Sequence, residues 1–205
     1  MDIRRIDGYD DPRFPAEVLR QHGAFVTEDG IPCSVRITGL RTATVEAPED
    51  TLDALIGEFR FFAEHITVFE DARGRVLRAF PEIPLFRVKL CDLQPSQFFV
   101  DEDKLAAVST FVHGAEDVVI PVIPDGDRYI ACDGHTRLCA AHRLGLTDAL
   151  VFLCEVPFDE IRDFARMARE RGIHSPADLT LLSHEEYAVQ WDAFCDNYFA
   201  EHPVF

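Results

Sequence analysis

The segment that most constrains this chain is Tyr129-Ile130-Ala131-Cys132-Asp133-Gly134-His135-Thr136-Arg137, where an apolar strand runs into a turn and a helix begins within two residues. Such a strand needs a sheet to join. The free N–H groups at the helix start, with the positive end of the helix dipole, make an anion site. Gly134 lets a ligand approach the backbone closely. His135 and Arg137 put cations in the first helical turn, where they oppose the dipole at a cost of roughly a few tenths of a kcal/mol. An anion offsets that cost. It is either a bound ligand or Asp133, acting as an N-cap to Thr136 and pairing with Arg137, and spacing alone leaves both open.

The flanking pattern alternates strands and helices. A short helix is expected between Phe14 and His22, then a hairpin of strands 31–37 and 42–46 turning at Gly39. Asp50 is a good N-cap for a helix to about Ala63, on which Leu52, Leu55, Ile56, Phe59 and Phe62 recur at helical spacing. Strands 65–70 and 75–80 flank Asp71-Ala72-Arg73-Gly74 as a second hairpin. Pro81 and Pro84 then punctuate the chain.

Beyond them come a strand at 86–93, a helix capped by Asp101 that stops at Gly114, and strands 118–123 and 128–132 around the Pro124–Asp127 turn. A helix at 136–144 and a strand at 149–156 follow. The tail reads as helical, with Ser175-Pro176 opening one turn and Ser183-His184-Glu185-Glu186 a capping box for a helix lined by Tyr187, Trp191, Phe194 and Tyr198. The expected fold class is α+β: an N-terminal α+β unit over 1–84, a central mixed-sheet module over 85–156 and a C-terminal helical tail over 157–205 packed on it.

Of the 205 residues 47% are hydrophobic, enough for one sizeable core or two small ones. No stretch approaches the roughly 18 apolar residues of a membrane span, and the first residues lack the apolar core of a signal peptide. A cytoplasmic protein with no membrane partner is expected. The six cysteines form no C-x-x-C pair and read as buried free thiols. A net charge of −17 repels phosphate backbones, so no DNA partner is expected. A small phosphate ligand responds mainly to the few groups around it and stays compatible with that charge.

The run from about Arg87 to Val156 contains Leu93-x-Pro95, the Asp101 helix, Ile120-Pro121-Val122, the Tyr129 strand, Asp133 through Ala141 and Leu144-Gly145. Over this third of the chain the sequence resembles the ParB/sulfiredoxin-like superfamily. That superfamily includes CTP-binding and CTP-hydrolysing partition proteins, sulfiredoxins and free-serine kinases, so the resemblance implies a fold more than an activity.

Sulfiredoxins carry a catalytic cysteine between the glycine and histidine of Gly-Cys-His-Arg. His135 follows Gly134 directly here, which argues against sulfinic-acid reduction. Against the partition motif Gly-Glu-Arg-Arg, Gly134 and Arg137 match while His135 and Thr136 differ, and no basic DNA-reading helix follows. The free-serine kinase motif Asp-Gly-His-His-Arg is the closest. By that resemblance Gly134, His135, Thr136 and Arg137 hold the phosphates of a nucleotide (ATP, ADP or CTP, with Mg²⁺), and Asp133 sits by the transferred phosphoryl group or the Mg²⁺.

In this resemblance Asp133 and His135 are the catalytic candidates, and Ser96 and Gln97 border the acceptor pocket. The family's glutamate after Leu-x-Pro corresponds to the segment Leu93-Gln94-Pro95-Ser96-Gln97, and Gln97 is no general base. Asp101, Glu102 and Asp103 read as helix-start acids.

No metal-ligand set is expected. His135, Cys139 and His142 fall at i, i+4 and i+7, but Cys139 occupies a small core-facing position. The functional expectation is a protein that binds a nucleotide or phosphorylated small molecule, with phosphotransfer to a small metabolite as its enzymatic form. The alternative is a non-enzymatic interaction protein with a degenerate site. A homodimer fits either.

Overall fold

Short strands, alternating in burial over Pro32–Ile37 and Thr42–Glu46 and continuously buried over Ala24–Thr27 and through most of Val119–Asp125 and Asp148–Leu153, are interleaved with helices, so an α+β architecture results. The computed structural model describes residues 3–61, 63–154 and 159–202. The chain divides into two units, Met1–Leu85 and Phe86–Phe205. The sequence boundary at 156/157 lies outside the described residues, as do Phe62 and Val156.

The first unit runs β1 (Ile3–Arg5), α1 (Ala16–Arg20), β2 (Ala24–Thr27), β3 (Pro32–Ile37), β4 (Thr42–Glu46), α2 (Leu52–Arg60), β5 (Val68–Glu70) and β6 (Val76–Ala79). Its six strands lie in sequence order. All pairs are antiparallel except β4 with β5, where α2 makes the crossover that a parallel pair requires.

Helix α2 buries Leu52, Leu55, Ile56 and Phe59 against Val35, Ala43, Val45 and Phe69. It begins after a 3-10 turn at Glu49–Thr51, so Asp50 lies inside that turn and is not the N-cap. Strands β1 and β2 were not expected from the pattern. All four residues of β2 are buried, which removes the alternation that would reveal it.

The second unit runs β7 (Phe86–Lys89), β8 (Leu93–Pro95), β9 (Phe99–Asp101), α3 (Glu102–Val108), β10 (Val119–Asp125), β11 (Arg128–Ala131), α4 (His135–Arg143), β12 (Asp148–Leu153), α5 (Asp159–Glu170), β13 (Thr180–Leu182), α6 (His184–Tyr187) and α7 (Ala193–Glu201). A π-helical turn, Ala188–Asp192, joins the last two helices. Five strands form one sheet in the order β7-β12-β10-β11-β8. Both faces are covered, which explains the continuous apolar runs of β10 and β12. One face packs Ile120, Val122, Ala131 and Val151 with Leu105, Val108, Leu138 and Ala141. On the other, Ile123, Ile130, Cys132 and Cys154 meet Ala165.

The tail is not wholly helical. Strand β13 pairs in parallel with β9, from Thr180 opposite Phe99 to Leu182 opposite Asp101, and ties the C-terminal helices to the start of α3. Of the cysteines, Cys33, Cys132, Cys139 and Cys154 are buried, Cys195 is half-buried and Cys91 is exposed. Among the described residues no helix is long and apolar enough to cross a membrane.

Phe69 is fully buried, with the rings of Phe59 and Phe80 edge-on to it at centroid distances of 6.3 and 6.0 Å. Phe69→Ala is expected to lower the stability of the first unit by about 3–5 kcal/mol, read from the urea midpoint. A loss below about 1 kcal/mol would place the core elsewhere.

Candidate functional site

Strands β8 and β11 are parallel neighbours, with Leu93, Gln94 and Pro95 opposite Tyr129, Ile130 and Ala131. Parallel neighbours deliver their chains at the same end of the sheet. Ser96, leaving β8, therefore meets the Asp133-Gly134 turn leaving β11. The carboxyl ends of strands are where open α/β sheets commonly present binding groups.

Gly134 is the N-cap of α4 at φ 78°, ψ 21°. A Cβ there would lie 2.6 Å from Ile120 Cδ1 and 3.0 and 3.2 Å from Nη2 and Nε of Arg137. Both the left-handed backbone and this close approach call for glycine. Arg137 folds back over the turn, where its Nη1 donates to the Val119 carbonyl at 2.7 Å and its Nη2 to the Asp133 carboxylate at 3.3 Å.

Asp133 thus pairs with Arg137 while no side chain caps α4, and no acidic residue lies in its first turn. The neighbouring helices differ. Asp101 accepts from the amides of Asp103 and Lys104 at the start of α3, and Ser183 Oγ accepts from the Glu186 amide at the start of α6. The first-turn amides of α4 are left without a side-chain acceptor, which makes this helix start electropositive.

His135 is buried. Its Nε2 accepts the Ser96 amide at 3.0 Å and lies 3.3 Å from Ser96 Oγ, which donates to the Ala131 carbonyl at 2.7 Å. Burial pushes the imidazole down to about 4, and the Asp133 charge and a hydrogen bond to Ala131 oppose this only in part. The ring is neutral at pH 7. It therefore lacks the charge that the sequence reading used to neutralise phosphate, and it serves instead to pin the start of α4 to the end of β8. Thr136 is half-buried beside it.

Ser96 is buried and its hydroxyl is engaged with Ala131. Gln97 Nε2 donates to the Phe99 carbonyl and, at 3.1 Å, to Tyr187 Oη. Tyr187, buried on α6, also lies under the Lys104 ammonium, 4.5 Å from its ring centroid. Burial raises the phenol, and the nearby Asp192 charge, with smaller contributions from Cys195, Asp101 and Asp133, adds to the rise. His184 Nδ1 meets Asp101 Oδ2 at 2.8 Å. Burial alone would raise Asp101, but its bonds from His184, Asp103 and Lys104 outweigh that and hold the carboxyl low.

The structure brings Asp133, Gly134, His135, Thr136, Arg137 and Ser96 together and links Gln97 to α6. Sequence reasoning did not include Lys104, His184 or Tyr187 in this neighbourhood. The Ser183 capping box was legible, but the pairing of β13 with β9 that delivers it has no local signal. Cys139 faces the core and His142 is exposed, so the His135-Cys139-His142 stripe does not converge.

No protein-family model matches the chain, and no curated protein matches its sequence. Among solved structures it is similar to protein Atu1540 from Agrobacterium tumefaciens, at 19% identity and TM-score 0.31 over 46% of this chain and 51% of that one. It is also similar to C-terminally truncated chromosome-partitioning protein ParB from Caulobacter crescentus, solved with CTP-gamma-S. That match has 16% identity and TM-score 0.29 over 43% of this chain and 53% of that one. The chain thus spans about half the length of each solved chain it matches.

Because the folded pKa of His135 is depressed, its contribution to stability is complete above the unfolded value near 6.5 and is lost as pH falls towards 4. Between these limits the wild type is expected to lose up to about 1.4 kcal/mol per pH unit more than His135→Gln. Urea titrations across the window measure the difference, and parallel curves would show that the ring is not held neutral.

Proposed function

We propose that the chain binds a nucleotide or another phosphorylated small molecule at the Gly134 turn. The observation that carries this reading is the uncapped start of α4, beside an arginine already folded over it. Phosphate oxygens take the amides of His135, Thr136 and Arg137 and the Thr136 hydroxyl. Two of the five N–H donors of Arg137 are engaged, on Val119 and Asp133, which leaves three for an anion.

An incoming phosphate also competes with Asp133 for Arg137. Displaced from that pair, Asp133 is free to meet a Mg²⁺ that accompanies a nucleotide. Gly134 and the His135 ring hold the frame, the first through its backbone angle and the second through Ser96.

The narrower form of the proposal is phosphoryl transfer to a small hydroxylated metabolite. Positioning and charge neutralisation supply most of the acceleration in such transfers. Asp133 is the carboxylate at this turn that can accept the acceptor's proton, because Gln97 is an amide and the His135 Nε2 is occupied by Ser96. Ser96 and Gln97 line the acceptor side.

One observation favours a second reading, a non-enzymatic interaction protein: Asp133 already supplies Arg137 with an intramolecular anion. A thermal-shift series with ATP, ADP, CTP and GTP plus Mg²⁺ separates the two. A ligand at a hundred times its Kd stabilises the fold by about 2.7 kcal/mol. The proposal predicts that at least one nucleotide raises the Tm of the wild type and not of Arg137→Ala. No shift in the wild type, with Arg137→Ala melting lower than it, would leave the arginine a structural partner of Asp133 and favour the second reading.

A further inference from the structure

We propose that Asp101, Asp103 and His184 form a binding site for a divalent transition-metal ion. Each offers one donor atom, and the three atoms lie within 4.8 Å of one another. They come from segments far apart in sequence, joined because β13 pairs in parallel with β9 and delivers His184 just beyond Leu182, opposite Asp101. This site is independent of the nucleotide reading.

Asp101 is the anchor. It is only 1% exposed, and its Oδ1 is fixed by the amides of Asp103 at 2.7 Å and Lys104 at 3.3 Å. Its Oδ2 is thereby aimed at His184 Nδ1, 2.8 Å away. Two ligands bound tetrahedrally at about 2.0–2.2 Å stand roughly 3.4 Å apart, so an ion needs this pair, at 2.8 Å, to open by about half an ångström. The ion takes the place of the proton shared between them, which leaves as it binds.

Asp103, an acid of the first turn of α3, brings a third donor atom within 4.8 Å of the two atoms of the histidine–aspartate pair. The exposed Asp103 and His184 give an ion a path from solvent to the buried carboxylate. Glu102 and Glu185 flank the donors and deepen the negative field. The nearby cation, Lys104, is occupied over the Tyr187 ring. An imidazole nitrogen with two carboxylates suits Zn²⁺, Mn²⁺ or Co²⁺ better than Mg²⁺ or Ca²⁺, which prefer oxygen alone. Three protein ligands leave a coordination position for water. A bound ion clamps α6 to the start of α3 and so fixes Tyr187 beside Gln97.

The full chain, stripped with a chelator, is titrated with Zn²⁺, Mn²⁺, Co²⁺ and Mg²⁺, following Tm and, for Co²⁺, the visible absorption of the bound ion. His184→Ala and Asp103→Asn are compared with the wild type, and Asp101 is left intact because it caps α3. The expected result is a rise in Tm with at least one transition-metal ion, larger than with Mg²⁺, and at least about tenfold weaker binding in both variants. Wild-type protein that binds none of the ions would overturn the proposal. So would unchanged affinity in both variants, which would put the ion on other ligands such as the thiols.

Discussion

The hydrogen bond from the Ser96 amide to His135 Nε2, 3.0 Å long inside the second unit, joins the ends of two parallel strands, and the candidate site stands on that join. It sets conditions in both directions. The sheet register must bring Pro95 opposite Ala131, and the imidazole must stay neutral so that Nε2 keeps its lone pair. Burial enforces the second condition. In return, an amide that would cost about 1–3 kcal/mol if buried without a partner is satisfied, and α4 starts at a fixed point. Gly134, held between Ile120 and Arg137, turns the chain within that frame.

The charges around the turn follow from the same geometry. The chain carries a formal net charge of −17, yet α4 begins with bare amides and a folded-back guanidinium. Asp133 balances Arg137 at the rim, where it is exposed enough for a surface ion pair of this kind to be weak, about 0–1 kcal/mol. A weak internal pair can be exchanged for a stronger external one. In the proposed function, a phosphate held by several amides and the arginine replaces this single carboxylate at 3.3 Å.

Much of this was legible in the sequence because the signals were local. The strand, glycine and helix at 129–144 lie close together, and the hairpins at 31–46 and 65–80 have the turn residues their geometry demands. The illegible parts were non-local. Strand β2 is buried along its whole length and loses its alternation, while β8 and β9 are three residues each and too short for any period. His135 serves as a cation in the sequence reading, while burial of its ring, which lowers its pKa further, keeps it neutral. Tyr187 reads as one member of an apolar stripe until β13 sets it against Gln97.

The central claim is that the first-turn amides of α4 are a preformed anion receptor. Backbone ¹H–¹⁵N chemical shifts of the isotopically labelled full chain, followed while inorganic pyrophosphate is added, test it at the atoms concerned. The account predicts saturable shifts concentrated at His135, Thr136 and Arg137, with the Arg137 side-chain signal moving as Asp133 is displaced. Unmoved resonances at these three residues, with changes elsewhere or none at all, would contradict it.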